Sequence, residues 1–326
     1  MQPEQRHHSI SVALDQEDPW ERLSFKQITI EDRPIFESFL SRVSQPISDL
    51  SFASIFMWSE VFAHRWRIVR DCLCLVATQS GESTMIFPPI GGEDVEAALQ
   101  ECLFFFKELN PQGLVFEYVP GELVERLGLF EIKPRSGDYV YETQKMIELK
   151  GAELASKRQS RNAFLKRYRN IYTEKYGVKH LDDCGKMLDN WQMQVQSSAI
   201  IDLKRSQEVA ATKRLMANAD ALGLTGMVLY AEAQLIGFTF GEKLGKDSCS
   251  IMIEKTDRSF TGSAQYIFSE FCRQYWGDTQ WCNAGDDWEI PALAWTKESY
   301  RPAFRIPKWS AYYAYEKGAA WNYACS

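Results

Sequence analysis

Thr261, Gly262 and Ser263 lie in the first turn of an expected helix, where backbone N–H groups have no partner within the helix and form an anion site for phosphate or carboxylate. Glycine in that turn permits a close approach. The same residues also suit an ordinary strand-to-helix turn with an N-cap, and the stretch alone leaves both readings open. A second set of chemical groups, Lys157 and Arg161, continues a helical stripe that further on carries Phe164, Leu165, Tyr168, Ile171 and Tyr172. Burying unpaired charge is costly, so both cations should meet a carboxylate, a phosphate or a cleft, with Asn162 beside them, unless the helix starts later and both are solvated. A third set is the turn Asn283-Ala284-Gly285-Asp286-Asp287. If the helix from Gly151 to Tyr176 packs near the middle of the chain, Lys157 and Arg161 should point into the groove that receives this turn, so that cations and carboxylates pair across it.

The elements that would position these groups follow from periodicity. Ser248–Lys255 alternates as a half-buried strand, and Ala264, Ile267, Phe268, Phe271, Cys272 and Tyr275 recur at helical spacing after the hinge. Leu224–Tyr230, Leu235–Lys243 and Ser248–Lys255 are joined by short turns and should form an antiparallel meander. Helices with Leu188, Trp191 and Val195 and over Glu208–Leu222 precede it. A strand at Trp281, a short helix through Leu293 and Trp295 to Tyr300 and a strand Pro307–Tyr315 are expected to follow it. Earlier in the chain, Ile35, Phe36, Phe39 and Leu40 have helical spacing, Arg67–Ala77 and Ser83–Phe87 read as strands around the turn Gln79–Glu82, Val95–Leu109 as a helix, Gly113–Val119 as a strand and Asp138–Leu149 as an extended ribbon. The ring-rich run Phe56, Trp58, Phe62 and Trp66 is expected in the core.

Composition bounds what these elements can serve. The 326 residues, 45% hydrophobic, suit two globular domains. The opening sequence is polar and no stretch approaches the roughly 20 apolar residues of a membrane span, so a cytoplasmic protein without integral membrane contact is expected. Eight cysteines lack a CxxC pair and read as reduced core residues, and four histidines give no zinc spacing, so no metal is expected. Nine basic residues between Lys150 and Lys179 stand against Glu153 and Glu174, a local +7 in a chain of net −7, leaving −14 elsewhere. Such a face steers towards RNA or membrane phosphate, or is simply solvated.

The order of helices, antiparallel meander, helix, strand, helix and strand resembles the GNAT acyltransferase fold. The strings LSFASIFMW, FPPIGG, KRQSRNAFLKRY and CNAGDDWEIPALAWTKESYRPAF resemble uncharacterised bacterial proteins related to the C-terminal domain of phosphatidylglycerol lysyltransferases, across nearly the whole chain. The resemblance implies an α+β fold of two tandem GNAT-like domains, each a mostly antiparallel mixed sheet flanked by helices, arranged like the Fem-type enzymes that use aminoacyl-tRNA. Residues 25–149 would be the first, degenerate copy and 150–316 the second, with a flexible leader at 1–24 and a tail at 317–326.

Acyl or aminoacyl transfer onto an amine or hydroxyl of a small-molecule, lipid or peptide acceptor is then expected where Ser248–Lys255 parts from its neighbour. Glu254, Asp286 or Asp287 would accept the proton; Lys297, Lys157 or Arg161 would hold developing negative charge. Tyr300 lies where GNAT enzymes place a general acid, and Asn162, Arg258, Gly262, Ser263 and Asn283 would bind substrate or anion. The acyl-CoA pyrophosphate loop is imperfect: Ser259 stands three before Gly262, with Arg258 displaced by one and Glu254 and Asp257 nearby. An aminoacyl-tRNA donor needs no such loop. The competing reading is a non-catalytic RNA- or protein-binding module; DNA is not expected.

Overall fold

A computed structural model describes residues 19–44, 47–79, 82–194 and 199–315. The leader up to residue 18, turn residues 80 and 81, Val195 and the tail from 317 lie outside the described residues. Strands β1 (Lys26–Gln27), β2 (Arg65–Val69), β3 (Cys72–Gln79), β4 (Glu82–Met85), β5 (Gly113–Pro120) and β6 (Glu131–Glu142) precede α1 (Ala155–Arg167). Then come β7 (Tyr172–Lys175), β8 (Thr225–Ala231), β9 (Gln234–Lys243), β10 (Ser248–Thr256), α2 (Ser263–Tyr275), β11 (Trp281–Asn283), α3 (Pro291–Glu298) and β12 (Phe304–Ala314). All the described strands join one mixed sheet in the order β1-β2-β3-β4-β5-β12-β6-β11-β10-β9-β8-β7. Helices flank it, as an α+β fold requires.

The sheet repeats one arrangement twice. β4 and β5 pair in parallel at Met85 and Phe116, and β12 lies antiparallel beyond β5; β10 and β11 pair in parallel from Ser248–Trp281 to Ser250–Asn283, and β6 lies antiparallel beyond β11. β12 and β6 are each other's antiparallel neighbours at the centre. The last described strand is therefore inserted between two strands from the first half of the chain. β10 continues to Thr256 with β9 as partner but without β11, so the sheet splays open after Ser250.

Several local expectations need correction. Arg67–Ala77 is a hairpin rather than one strand, because Arg70 and Asp71 both take left-handed φ, 49° and 57°, the geometry that closes a two-residue hairpin turn. The ribbon expected over Asp138–Leu149 ends at Glu142 and becomes a helix, Thr143–Glu148. α1 stops at Arg167 rather than Tyr176; Tyr172 belongs to edge strand β7, and Leu165 is 46% exposed. Within the expected leader, Pro19–Arg22 is helical and buries Trp20 against Phe25 and Phe106.

Candidate functional site

β10 carries the first candidate group to the splay through an irregularity. Opposite β9, Cys249 and Ile251 face the side covered by α2, where they join Phe268, Phe271 and Cys272, whereas Ile253 faces the other core with Phe238 and Phe240. The register shift between Ile251 and Ile253 thus reverses the alternation, as a β-bulge does. Strict period two would send Glu254 away from Cys249 and Ile251; the bulge returns it to their side, opposite Thr239. Glu254 Oε2 and Thr239 Oγ1 are buried without hydrogen-bond partners. Burial pushes the Glu254 carboxyl up to about 8, with Lys255 opposing weakly, and Lys255 itself pairs with Glu208 at 2.7 Å.

Tyr300, just beyond α3, is buried within interaction range of Glu254; burial and that carboxyl raise its hydroxyl, and a hydrogen bond from Gln265 opposes them. The Tyr300 ring packs against Phe268 and Tyr141. Lys157 Nζ lies 4.4 Å from the Tyr300 ring centre and 5.8 Å from that of Trp295. Lys157 is 9% exposed, burial depresses its ammonium, and its neighbours are rings rather than a carboxylate. Tyr300 thus neighbours both Glu254 and Lys157.

Asp286 and Asn283 belong to a different cluster. Lys308 on β12 is 1% exposed, and its Nζ contacts Asp49 at 2.6 Å, Asp138 at 2.9 Å and Asp286 at 2.7 Å. These carboxylates lie close enough together to hold a metal ion, but the Lys308 ammonium sits among them and serves as their cation. Burial opposes the charge on Lys308, yet the three carboxylates hold its pKa well above the ordinary lysine value. Asp138 is buried but held low by Lys308, by Asn283 Nδ2 donating at 2.9 Å and by the Ser48 N–H donating at 2.6 Å. Asp49, with burial and two carboxylates against it, is pushed up to about 6. Lys297 donates to the Ala284 carbonyl at 2.5 Å and to the Asp286 carbonyl, and burial lowers it to about 8. It clamps the turn.

The remaining candidates are separated further. Asp287 accepts from Tyr139 Oη at 2.6 Å and pairs with Arg305 at 3.6 Å, beside an open pocket of about 500 Å³ that Arg135 and Glu289 also line. Arg161 donates to the Ile147 carbonyl at 3.2 Å and Ser269 Oγ at 3.0 Å; burial, then Arg273 and Arg158, lower it. The expected pairing of Lys157 and Arg161 with the Asn283–Asp287 turn is replaced: the cations meeting that turn are Lys297, Lys308 and Arg305. Asn162 and Arg258 are exposed, and the Arg258 guanidinium lies over Trp191 at 6.0 Å. Gly262 has φ 91°, and a Cβ there would collide with the Ser160 carbonyl and approach Phe164 Cβ to 2.9 Å. What comes close to this glycine is α1. Ser263 is buried beside it. Lys308, Asp49 and Asp138 escaped the sequence reading because a lysine within a strand pattern gives no sign of which distant loop supplies its counter-ions.

The splayed parallel pair, the meander and the covering helix define a GNAT-like fold. The chain belongs to the family described as phosphatidylglycerol lysyltransferase, C-terminal, whose family model matches residues 41–312. It is 27% identical over 179 residues to an uncharacterized protein, MYCGA3080, of Mycoplasmoides gallisepticum (strain R(low / passage 15 / clone 2)), over 55% of this chain and 56% of that protein. The chain spans just over half the length of this curated relative. Among solved structures, a conserved protein of unknown function from Bacteroides thetaiotaomicron VPI-5482 superposes with TM-score 0.77 at 22% identity, covering 89% of this chain and 99% of that one. L-PGS from Bacillus licheniformis superposes with TM-score 0.63 at 14% identity, covering 90% and 94%. Among the described residues, no helix is long and apolar enough to cross a membrane.

Proposed function

We propose that the protein transfers an aminoacyl or other acyl group to an amine or hydroxyl at the splay between β10 and β11. The observation that carries this reading is Glu254: a carboxyl with an unpartnered buried oxygen, raised by burial to about 8, with Tyr300 in range of it and Lys157 against the Tyr300 ring. Glu254 as carboxylate takes the acceptor's proton while the acceptor's nitrogen or oxygen attacks the donor carbonyl. Lys157 offsets the oxyanion that forms, and Tyr300 gives its proton to the leaving oxygen as that bond breaks. Membership of a phosphatidylglycerol lysyltransferase family favours an aminoacyl-tRNA donor and a lipid acceptor. Acyl-CoA is disfavoured by the packing of Ser160 against Gly262, where a pyrophosphate would need room.

The test is transfer from a set of labelled aminoacyl-tRNAs to lipid and amine acceptors, followed across pH. Rates should rise as pH approaches about 8, where Glu254 ionises. Glu254→Gln and Tyr300→Phe should each lower turnover by roughly 100-fold or more. Unchanged turnover in both variants would remove the reading.

A second reading, RNA binding without chemistry, is favoured by the exposed basic side chains Lys166, Arg167, Arg169 and Lys175 next to Tyr172, which is stacked on Tyr230 at 4.7 Å. It requires tRNA affinity that falls steeply with salt and is unchanged by Glu254→Gln.

A further inference from the structure

The carboxylates around the splay are unequally committed. Asp286 is taken by Lys308 at 2.7 Å, Asp287 by Tyr139 at 2.6 Å and Arg305 at 3.6 Å, Glu298 by Arg305 at 3.6 Å, and Glu270 by Arg273 at 3.3 Å. Glu254 alone among these candidates has a buried oxygen without a partner. Through that oxygen it can balance one ligand ammonium. Against it stands Lys157, at the same Tyr300 ring and without a carboxylate of its own. The rings of Tyr300 and Trp295 soften the isolation of that ammonium, but a buried cation still favours an anionic or polar oxygen arriving with the ligand.

Charge accounting over the cleft therefore runs opposite to what a lysyl group would need. An aminoacyl group has one α-ammonium, which Glu254 can receive. A lysyl side chain brings a second, for which none of these carboxylates is uncommitted and which Lys157 repels. Taking the splay as the acyl-transfer cleft proposed above, we propose that the transferred group carries no second cation, and that Lys157 selects a side chain with a carboxylate or other polar oxygen over lysyl. The selection is charge complementarity expressed partly as repulsion of the wrong ligand.

The test is calorimetric titration of the full chain with three amino-acid amides that share an α-ammonium and differ in side-chain charge: the α-amide of L-glutamic acid, L-alaninamide and L-lysinamide. Wild type should bind them in that order, with the glutamic acid amide at least tenfold tighter than lysinamide. Lys157→Met should flatten the order and Lys157→Glu should invert it, with thermal melting of each variant confirming a folded protein. Lysinamide binding most tightly to wild type, an order unaltered in Lys157→Glu, or no binding of any amide would each overturn the proposal. If the order appears and inverts while no transfer from any aminoacyl-tRNA is detected, the selectivity stands and the acyl-transfer reading falls.

Discussion

Replacing Glu254 by glutamine should make the protein more stable and less active, and the gain should depend on pH in a defined way. The carboxyl is raised from an ordinary 4.5 to about 8 by burial. Such a group costs the fold nothing below its unfolded pKa, where both states are protonated. As pH rises from about 4.5 towards 8, the unfolded chain ionises while the folded one resists, and stability is lost until the folded group also ionises. At 1.36 kcal/mol per unit the full loss is about 3–5 kcal/mol, allowing for the partial access the residue retains. Glutamine keeps the shape and removes the charge. Urea unfolding of both proteins from pH 4 to pH 9.5 should therefore give superposed midpoints at the acid end, a gap that opens through neutrality, and a plateau above about pH 8. A gap that stays within about 0.5 kcal/mol throughout would show that Glu254 is not held neutral, and the base assignment would lose its physical ground.

Three further outcomes follow from the packing. Lys308→Met leaves Asp49, Asp138 and Asp286 facing one another without their cation and should cost about 3–5 kcal/mol in denaturant melts at neutral pH, with Asp49→Asn in that background recovering part of the loss. Gly262→Ala must place a Cβ at left-handed φ against the Ser160 carbonyl and should lower stability by about 1–3 kcal/mol, measured by thermal melting, whereas a glycine serving just a ligand would be replaced at little cost to the unliganded protein. Arg161→Ala breaks two hydrogen bonds and should cost about 1–2 kcal/mol by urea unfolding, above the effect of truncating a solvated side chain.

The meander was legible almost to the residue: Leu224–Tyr230, Leu235–Lys243 and Ser248–Lys255 became Thr225–Ala231, Gln234–Lys243 and Ser248–Thr256, and the helix after the hinge became Ser263–Tyr275. Local alternation and short turns suffice for such pieces. The reach of α1 was less legible, because Ile171 and Tyr172 continue a helical stripe by coincidence of spacing while their chain has turned into an edge strand. The site was legible as residue types and not as groupings. Glu254 comes within range of Tyr300 through a bulge that no periodicity announces, and Asp286 goes to a lysine on β12. That partnership depends on β12 lying between β5 and β6, a pairing between distant parts of the sequence that no sequence window contains.

The place of β12 also has a consequence for how the chain is made. Synthesis delivers β5 and β6 long before β12, and in the finished sheet these two are held apart by the strand that arrives last. Until residues 304–314 leave the ribosome, β5 and β6 each present an unsatisfied edge, the kind of surface that pairs promiscuously with other chains. The early half has hydrophobic residues enough to collapse but cannot complete its hydrogen bonding alone. Shortening the chain at residue 303 would thus do more than remove one strand: it would free two edges and take Lys308 away from its three carboxylates.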